Sequence, residues 1–168
     1  PRILSSAASD VYKRQTTTDH IAGRGGVLLD ANFSKDGKKL AFISSTRDHK
    51  EAHLKIADVK TGNVKSVYKE VTKTYYESGV NGENWRVFFK TNEFLWYSEK
   101  DDWGHLYLHD LTTGKLKNQI TSGEWLVRDV LHVDEVTREI FFTGGGKEEG
   151  NPYHCLLYTS PSPRDSCA

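Results

Sequence analysis

His105 and His109 place two imidazoles four positions apart, and imidazole nitrogens are common ligands of divalent metals. The run His105-Leu106-Tyr107-Leu108-His109-Asp110 reads as a strand, however. At about 3.3 Å per residue the two rings then stand roughly 13 Å apart, too far to share one ion, so no metal site is expected. Glu148-Glu149 is a pair of adjacent carboxylates, the chemistry that holds an ammonium ion. Its surroundings, Gly144 to Gly150, read as a flexible surface loop, and the pair is taken as a solvated turn. Arg47-Asp48-His49-Lys50-Glu51 concentrates charge and is read as a solvated inter-strand loop, with contact to a substrate or a neighbouring domain as the alternative.

The signatures of catalysis are missing from the string. No G-x-S-x-G elbow is present to strain a nucleophilic serine, and no G-x-x-x-x-G-K-[ST] or C-x-x-C motif occurs. Nor is there an amphipathic helical pattern of ten or more residues on which a βαβ unit could be built. No catalytic residue and no cofactor are therefore expected in this stretch of chain.

The elements that carry these residues recur. Leu40-Ala41-Phe42-Ile43-Ser44 leads to His53-Leu54-Lys55-Ile56-Ala57-Asp58 and then Thr61-Gly62. Phe94-Leu95-Trp96-Tyr97-Ser98 leads to His105 through Asp110 and then Thr113-Gly114. His53 and His105, Asp58 and Asp110, and Gly62 and Gly114 are each 52 residues apart. A third copy starts at Glu139-Ile140-Phe141-Phe142-Thr143 and reaches Tyr153-His154. Each full copy reads as four strands: Leu28 to Ser34, Lys39 to Ser45, His53 to Val59 and Val64 to Tyr68, then Trp85 to Lys90, Phe94 to Glu99, His105 to Leu111 and Lys115 to Thr121.

Runs as apolar as Leu40 to Ile43 and Phe94 to Tyr97 suit strands covered on both faces, which radially stacked sheets provide. The spacing predicts an all-β fold, a partial β-propeller of about two and a half four-stranded antiparallel blades, at residues 28–70, 85–121 and 126–154, the last truncated. A β-sandwich of seven or more strands is the alternative.

Bulk properties exclude several classes. Lys+Arg and Asp+Glu both number 23, so no net charge recruits nucleic acid or an anionic membrane. Apolar residues are 36% of the 168, with no run near the roughly 20 that a membrane span requires. Both cysteines, Cys155 and Cys167, fall near the end, which leaves the body without a disulfide framework.

The chain has no Met and opens Pro1-Arg2-Ile3-Leu4, so residues upstream are expected to be missing. Its ends differ from its middle. The head, residues 1–15, and the tail, residues 155–168, resemble translated adapter sequence and are expected to be non-native, with Pro161 and Pro163 unfit for a central strand. Residues 16–154 are left as the propeller segment.

The string Phe94 to Asp110, FLWYSEKDDWGHLYLHD, resembles the propeller of the dipeptidyl peptidase IV branch of the prolyl oligopeptidase family, and the resemblance runs from about Thr18 to His154. Phe33 to Phe42, Ile120 to Trp125 and Gly150 to His154 support it. Trp96, Ser98, Glu99, Trp103, His105, Leu106, Tyr107 and Asp110 form the blade signature, read as packing residues. Two positions depart from the pattern: Asp102 stands where the family usually has Gly, and His109 where Tyr is common.

The resemblance implies a bacterial serine peptidase, periplasmic or extracellular, that releases N-terminal dipeptides with Pro or Ala second. This chain would wall and gate the substrate chamber without being catalytic. The implied partners are the peptide substrate, a missing α/β-hydrolase domain and the remaining blades, in a parent that could pair as a homodimer, with no nucleic acid and no cofactor. The family's amino-terminus clamp of consecutive glutamates is implied upstream of this segment, not at Glu148-Glu149. A non-enzymatic propeller serving as an interaction scaffold is the alternative.

Overall fold

A computed structural model of the chain describes residues 31–77 and 84–160, which fall into two compact units dividing after Tyr76. In the first unit β1 (Ala31–Phe33), β2 (Lys39–Ser45), β3 (Glu51–Asp58) and β4 (Val64–Val71) form an antiparallel sheet in chain order. β2 is buried from Leu40 to Ser45, as its apolar run requires, whereas β4 is largely exposed and carries Lys65 and Lys69 at the sheet edge. Leu40, Phe42 and Ala57 make the core, with Ala31 and Val59 against it.

The turns explain the register. Gly37 closes the β1–β2 hairpin at φ +68°, its amide donating to the Ser34 carbonyl at 2.8 Å. After β3 the Asp58 carboxylate accepts from the Thr61 amide at 2.7 Å and the Thr61 hydroxyl at 2.8 Å.

The second unit holds two sheets. One is β5 (Arg86–Phe88), β6 (Glu93–Ser98), β7 (His105–Asp110) and β8 (Leu116–Gln119), again in chain order. The other is β9 (Leu126–Asp134), β10 (Glu139–Gly145) and β11 (Leu156–Ser160), with β10 central. They pack face to face: Leu95, Tyr97 and Leu106 of the first meet Val127, Val130, Ile140 and Phe142 of the second and Trp125 just before β9.

The blade-sized recurrence is visible in the pairing. Phe42, Trp96 and Phe142 lie on the second strands of three separate sheets, opposite Lys55, Tyr107 and Tyr158 on the third strands. The described residues contain strands and turns but no helix. None is therefore long and apolar enough to cross a membrane. Three antiparallel up-and-down sheets, each joined strand to strand by short turns, are propeller blades rather than one continuous sandwich.

Two local readings change. Gly144 and Gly145 are not loop but the buried end of β10; Gly144 lets the Trp125 and Tyr158 rings lie close, since a Cβ there would sit 3.0 and 3.2 Å from them. The segment set aside after His154 supplies β11, which pairs with β10 from Leu156 to Ser160. The prolines that argue against a strand begin only at residue 161, one position past its end. Leu28 to Asp30, the head at 1–15 and residues 161–168 lie outside the described residues.

Candidate functional site

Of the signature residues, His105 and Leu106 face the seam between the two sheets of the second unit, while the others lie on the opposite face of β6 and β7, in the β6–β7 loop or at the turn after β7. β6 is buried at every position, because one face meets the β9–β11 sheet and the other packs Phe94 and Trp96 edge to face at 6.3 Å. Leu106 and Tyr107 are buried beside them, and Ser98 Oγ accepts from the Lys100 amide at 3.2 Å to start the β6–β7 loop.

That loop is tied down by its own side chains. The Tyr107 hydroxyl donates to Asp101 at 2.6 Å, Gln119 Nε2 donates to the same carboxylate at 3.1 Å, and Lys100 Nζ lies 3.6 Å over the Tyr107 ring. The Tyr107 hydroxyl bond, outweighing desolvation, holds Asp101 below the usual carboxylate range. Tyr97 donates to Glu99 at 3.3 Å, and burial pushes its phenol well above the usual range. Trp103 is 38% exposed in the loop.

His105 is the pivot of the seam. Its Nε2 donates to the Gly123 carbonyl at 2.9 Å, its Nδ1 meets the Thr121 hydroxyl at 3.1 Å, and its ring sits edge-on to Trp125 at 5.3 Å. The Leu106 amide donates to the same hydroxyl at 3.0 Å. Next to it the Val127 amide donates to the Gly104 carbonyl at 2.8 Å, joining the two sheets backbone to backbone. His109 points elsewhere: its Nδ1 donates to the Gly114 carbonyl at 3.0 Å and its ring stacks on Phe94 at 4.9 Å, and burial pushes its pKa below the usual value. Asp110 caps the turn after β7, its Oδ1 accepting from the Thr112 and Thr113 amides at 3.0 and 2.8 Å.

Three seam residues escaped sequence reading. Asn84, buried at 2% exposure, donates to the Arg128 carbonyl and accepts from the Val130 amide, both at 2.7 Å, so it bridges a break in the β9 ladder. Glu93, its side chain 3% exposed, is held by Arg138 at 2.8 Å and by Lys117. Burial raises its pKa, but the bonds from Arg138, Lys117 and Thr91 outweigh it and bring the pKa to about 2. Its only sequence signal is a carboxylate opening an apolar strand. Arg138 itself adopts φ +61°, a strained position for a residue with a Cβ.

Other candidates are not brought together. Glu148 and Glu149 are exposed; Glu148 accepts from Tyr158 at 3.5 Å, and Lys147 lies 4.7 Å over the Tyr158 ring and 5.3 Å over Trp125. In the first unit the 47–51 run is a structured turn. Asp48 accepts from the Thr46 hydroxyl at 2.6 Å and the Lys50 amide at 3.2 Å, His49 stacks on Tyr75 at 4.4 Å, and Glu51 opens β3 paired with Lys69 at 2.8 Å. Among the described residues no cluster of His, Cys, Asp and Glu is arranged to hold a metal. A cavity of about 30 Å³ lies between the two sheets beside Ile120, Val133 and Arg138, room for about one water and not for a peptide.

A buried seam of aromatic and ion-pair contacts between a four-stranded and a three-stranded sheet is a packing site. A family model described as the dipeptidyl peptidase IV (DPP IV) N-terminal region matches residues 2–159. The chain belongs to that family. The match reaches past both ends of the Thr18–His154 resemblance and contains every seam residue, and the described fold is a partial β-propeller of the dipeptidyl peptidase IV N-terminal region.

Two crystal structures share this architecture. One is a protein described as a dipeptidyl aminopeptidase IV from Bacteroides ovatus ATCC 8483, 24% identical, with a TM-score of 0.61 over 77% of this chain and 20% of that one. The other is Porphyromonas gingivalis dipeptidyl peptidase 4, 24% identical, with a TM-score of 0.62 over 77% of this chain and 17% of that one. At that identity the likeness is one of fold. The chain spans about a fifth of the length of each of these structures.

Proposed function

We propose that this chain is a wall segment of a secreted or periplasmic serine dipeptidyl peptidase. The parent releases N-terminal dipeptides with Pro or Ala second by Ser-Asp-His acyl transfer, and this segment shapes and gates the chamber through which short peptides reach the catalytic domain. The observation that carries the reading is the family match over residues 2–159. The seam supports a non-catalytic part: His105, Asp110 and Glu93, the groups most able to do chemistry, are each spent on contacts within the fold.

The parent's α/β-hydrolase domain, the other blades and a peptide substrate are the partners of this reading, and a homodimeric parent is compatible with it. The test is the full reading frame and its product. A downstream α/β-hydrolase domain with a G-x-S-x-G elbow, and release of Gly-Pro or Ala-Ala from chromogenic dipeptide substrates by the full-length protein but not by this chain, are expected. A reading frame that ends with the propeller and a product inert on those substrates would replace the peptidase with a scaffold that binds proteins.

A further inference from the structure

Arg128 stands at a break in its own strand. Thr143 of β10 faces Asp129 and Gly144 faces Val127, so Arg128 is the extra residue of a bulge, a device that re-aims a side chain. Asn84 fixes the backbone there by donating to the Arg128 carbonyl at 2.7 Å. The guanidinium lies against the end of β10: a Cβ on Gly145 would stand 3.4 Å from Nε, 3.9 Å from Nη2 and 2.8 Å from the Pro152 carbonyl oxygen. Burial and the charges of Glu99 and Glu77 raise the Tyr97 phenol while the Arg128 charge pulls it down, which puts the guanidinium near that side chain as well.

Nothing inside the fold answers this cation. Nε is buried without a hydrogen bond, and among the described residues the guanidinium forms no ion pair. Glu93, by contrast, is a buried charge that holds two partners. A guanidinium carries a permanent charge, N–H donors and no acceptor, so shielding it from water without a partner costs stability. Arg128 is only half-buried, which leaves the group shielded but not sealed from a ligand.

We propose that Arg128 anchors the free carboxylate of a peptide, either its C-terminus or an Asp or Glu side chain. The forked guanidinium edge matches a planar carboxylate through two parallel N–H···O bonds. A single guanidinium with Glu99 and Glu77 in the same field suits a monoanion better than a doubly charged phosphate. Those like charges keep binding weak, with Kd on the order of 1 mM. The inference rests on the peptidase reading for the ligand being a peptide, and not for the carboxylate chemistry.

Three N-acetylated probes, which offer no free amino terminus to cleave, separate the sources: Gly-Pro-Gly-Gly as the free acid, its C-terminal amide, and the amide of Gly-Pro-Asp-Gly. Each is titrated against this chain, with the Arg128 Nε–H signal followed by NMR, and against the full-length protein by saturation transfer to the peptide. The signal, assigned by its loss in Arg128→Lys, is expected to move saturably with the free acid or the Asp probe and about tenfold less with the plain amide. A response to the acid alone assigns the C-terminus, to the Asp probe alone the side chain, and to both the shared carboxylate. Arg128→Lys keeps the charge without the fork and should weaken binding about fivefold. Arg128→Gln should abolish it, with the β6 and β7 amide signals showing that the variant still folds. No saturable response at tens of millimolar, an equal response to acid and plain amide, or binding that survives Arg128→Gln overturns the proposal. So does binding by this chain that the full-length protein lacks, which assigns the guanidinium to a carboxylate in the rest of that protein. Carboxylate binding by a full-length protein that releases no dipeptide upholds the site and removes the peptidase reading.

Discussion

At the level of single residues, the seam groups have their chemistry consumed by packing, and two backbones are strained, Arg138 at the seam and Asp102 in the β6–β7 loop. Asp102, in the position where the family usually has glycine, sits at φ +66°. An L-residue pays for that conformation, although Asp tolerates it better than most. Asp102→Gly is expected to raise stability by about 0.5–1 kcal/mol, read as a higher urea midpoint.

His105→Ala leaves the Gly123 carbonyl and the Thr121 hydroxyl short of a partner and opens a void beside Trp125. A loss of about 2–3 kcal/mol is expected, seen as faster exchange of the β7 amides. Glu93 gives a pH signature. Its folded pKa of about 2 lies below the ordinary 4.5, so its contribution is fully present above about pH 4.5 and is lost as pH falls towards 2. The urea midpoint, followed by tryptophan fluorescence, should drop between pH 6 and pH 3, and Glu93→Gln should flatten part of that drop. Arg138→Ala removes one of the two cations from a carboxylate that stays buried and is expected to cost about 3 kcal/mol.

The strands themselves were largely legible, because each states its own pattern. β2 has the predicted limits of Lys39–Ser45, and β6 and β7 lie within a residue of prediction, since apolar runs bounded by turns leave few alternatives. β5 is shorter than Trp85 to Lys90, because Trp85 is drawn into the core ahead of the strand while Phe89 and Lys90 begin the turn. β11 was not expected because residues 155–168 resemble translated adapter sequence and carry Pro161 and Pro163; the strand ends at Ser160, one position before the first proline.

Repeat symmetry makes a prediction at this level. Asp58 and Asp110 make the same bonds to Thr61 and Thr113, so Asp58→Ala and Asp110→Ala should lower stability to the same small extent, with local amide exchange rising equally at the two turns. Unequal losses would mean that the repeat is one of sequence and not of energetics.

For the molecule as a whole, coverage is uneven. β6 is buried on both faces, whereas β10 alternates between buried and partly exposed, so the β9–β11 sheet has one covered face. Blades reach full stability when neighbours cover both faces. Thermal unfolding of this chain is therefore expected to be broad and concentration-dependent; a sharp, cooperative transition from a soluble monomer would contradict that. The sequence by itself determined the all-β class, the blade-sized recurrence, most strand limits and the kinship, because hydrophobic period, turn residues and repeats are local properties of a string. Only the tertiary structure decided that Glu93 meets Arg138, that Asn84 mends β9, that His105 closes on Gly123 and that β11 joins β10. Each of these depends on which strand or sheet comes to lie beside or against which, and a side chain carries no local mark of a partner that folding brings to it across 12 to 46 residues.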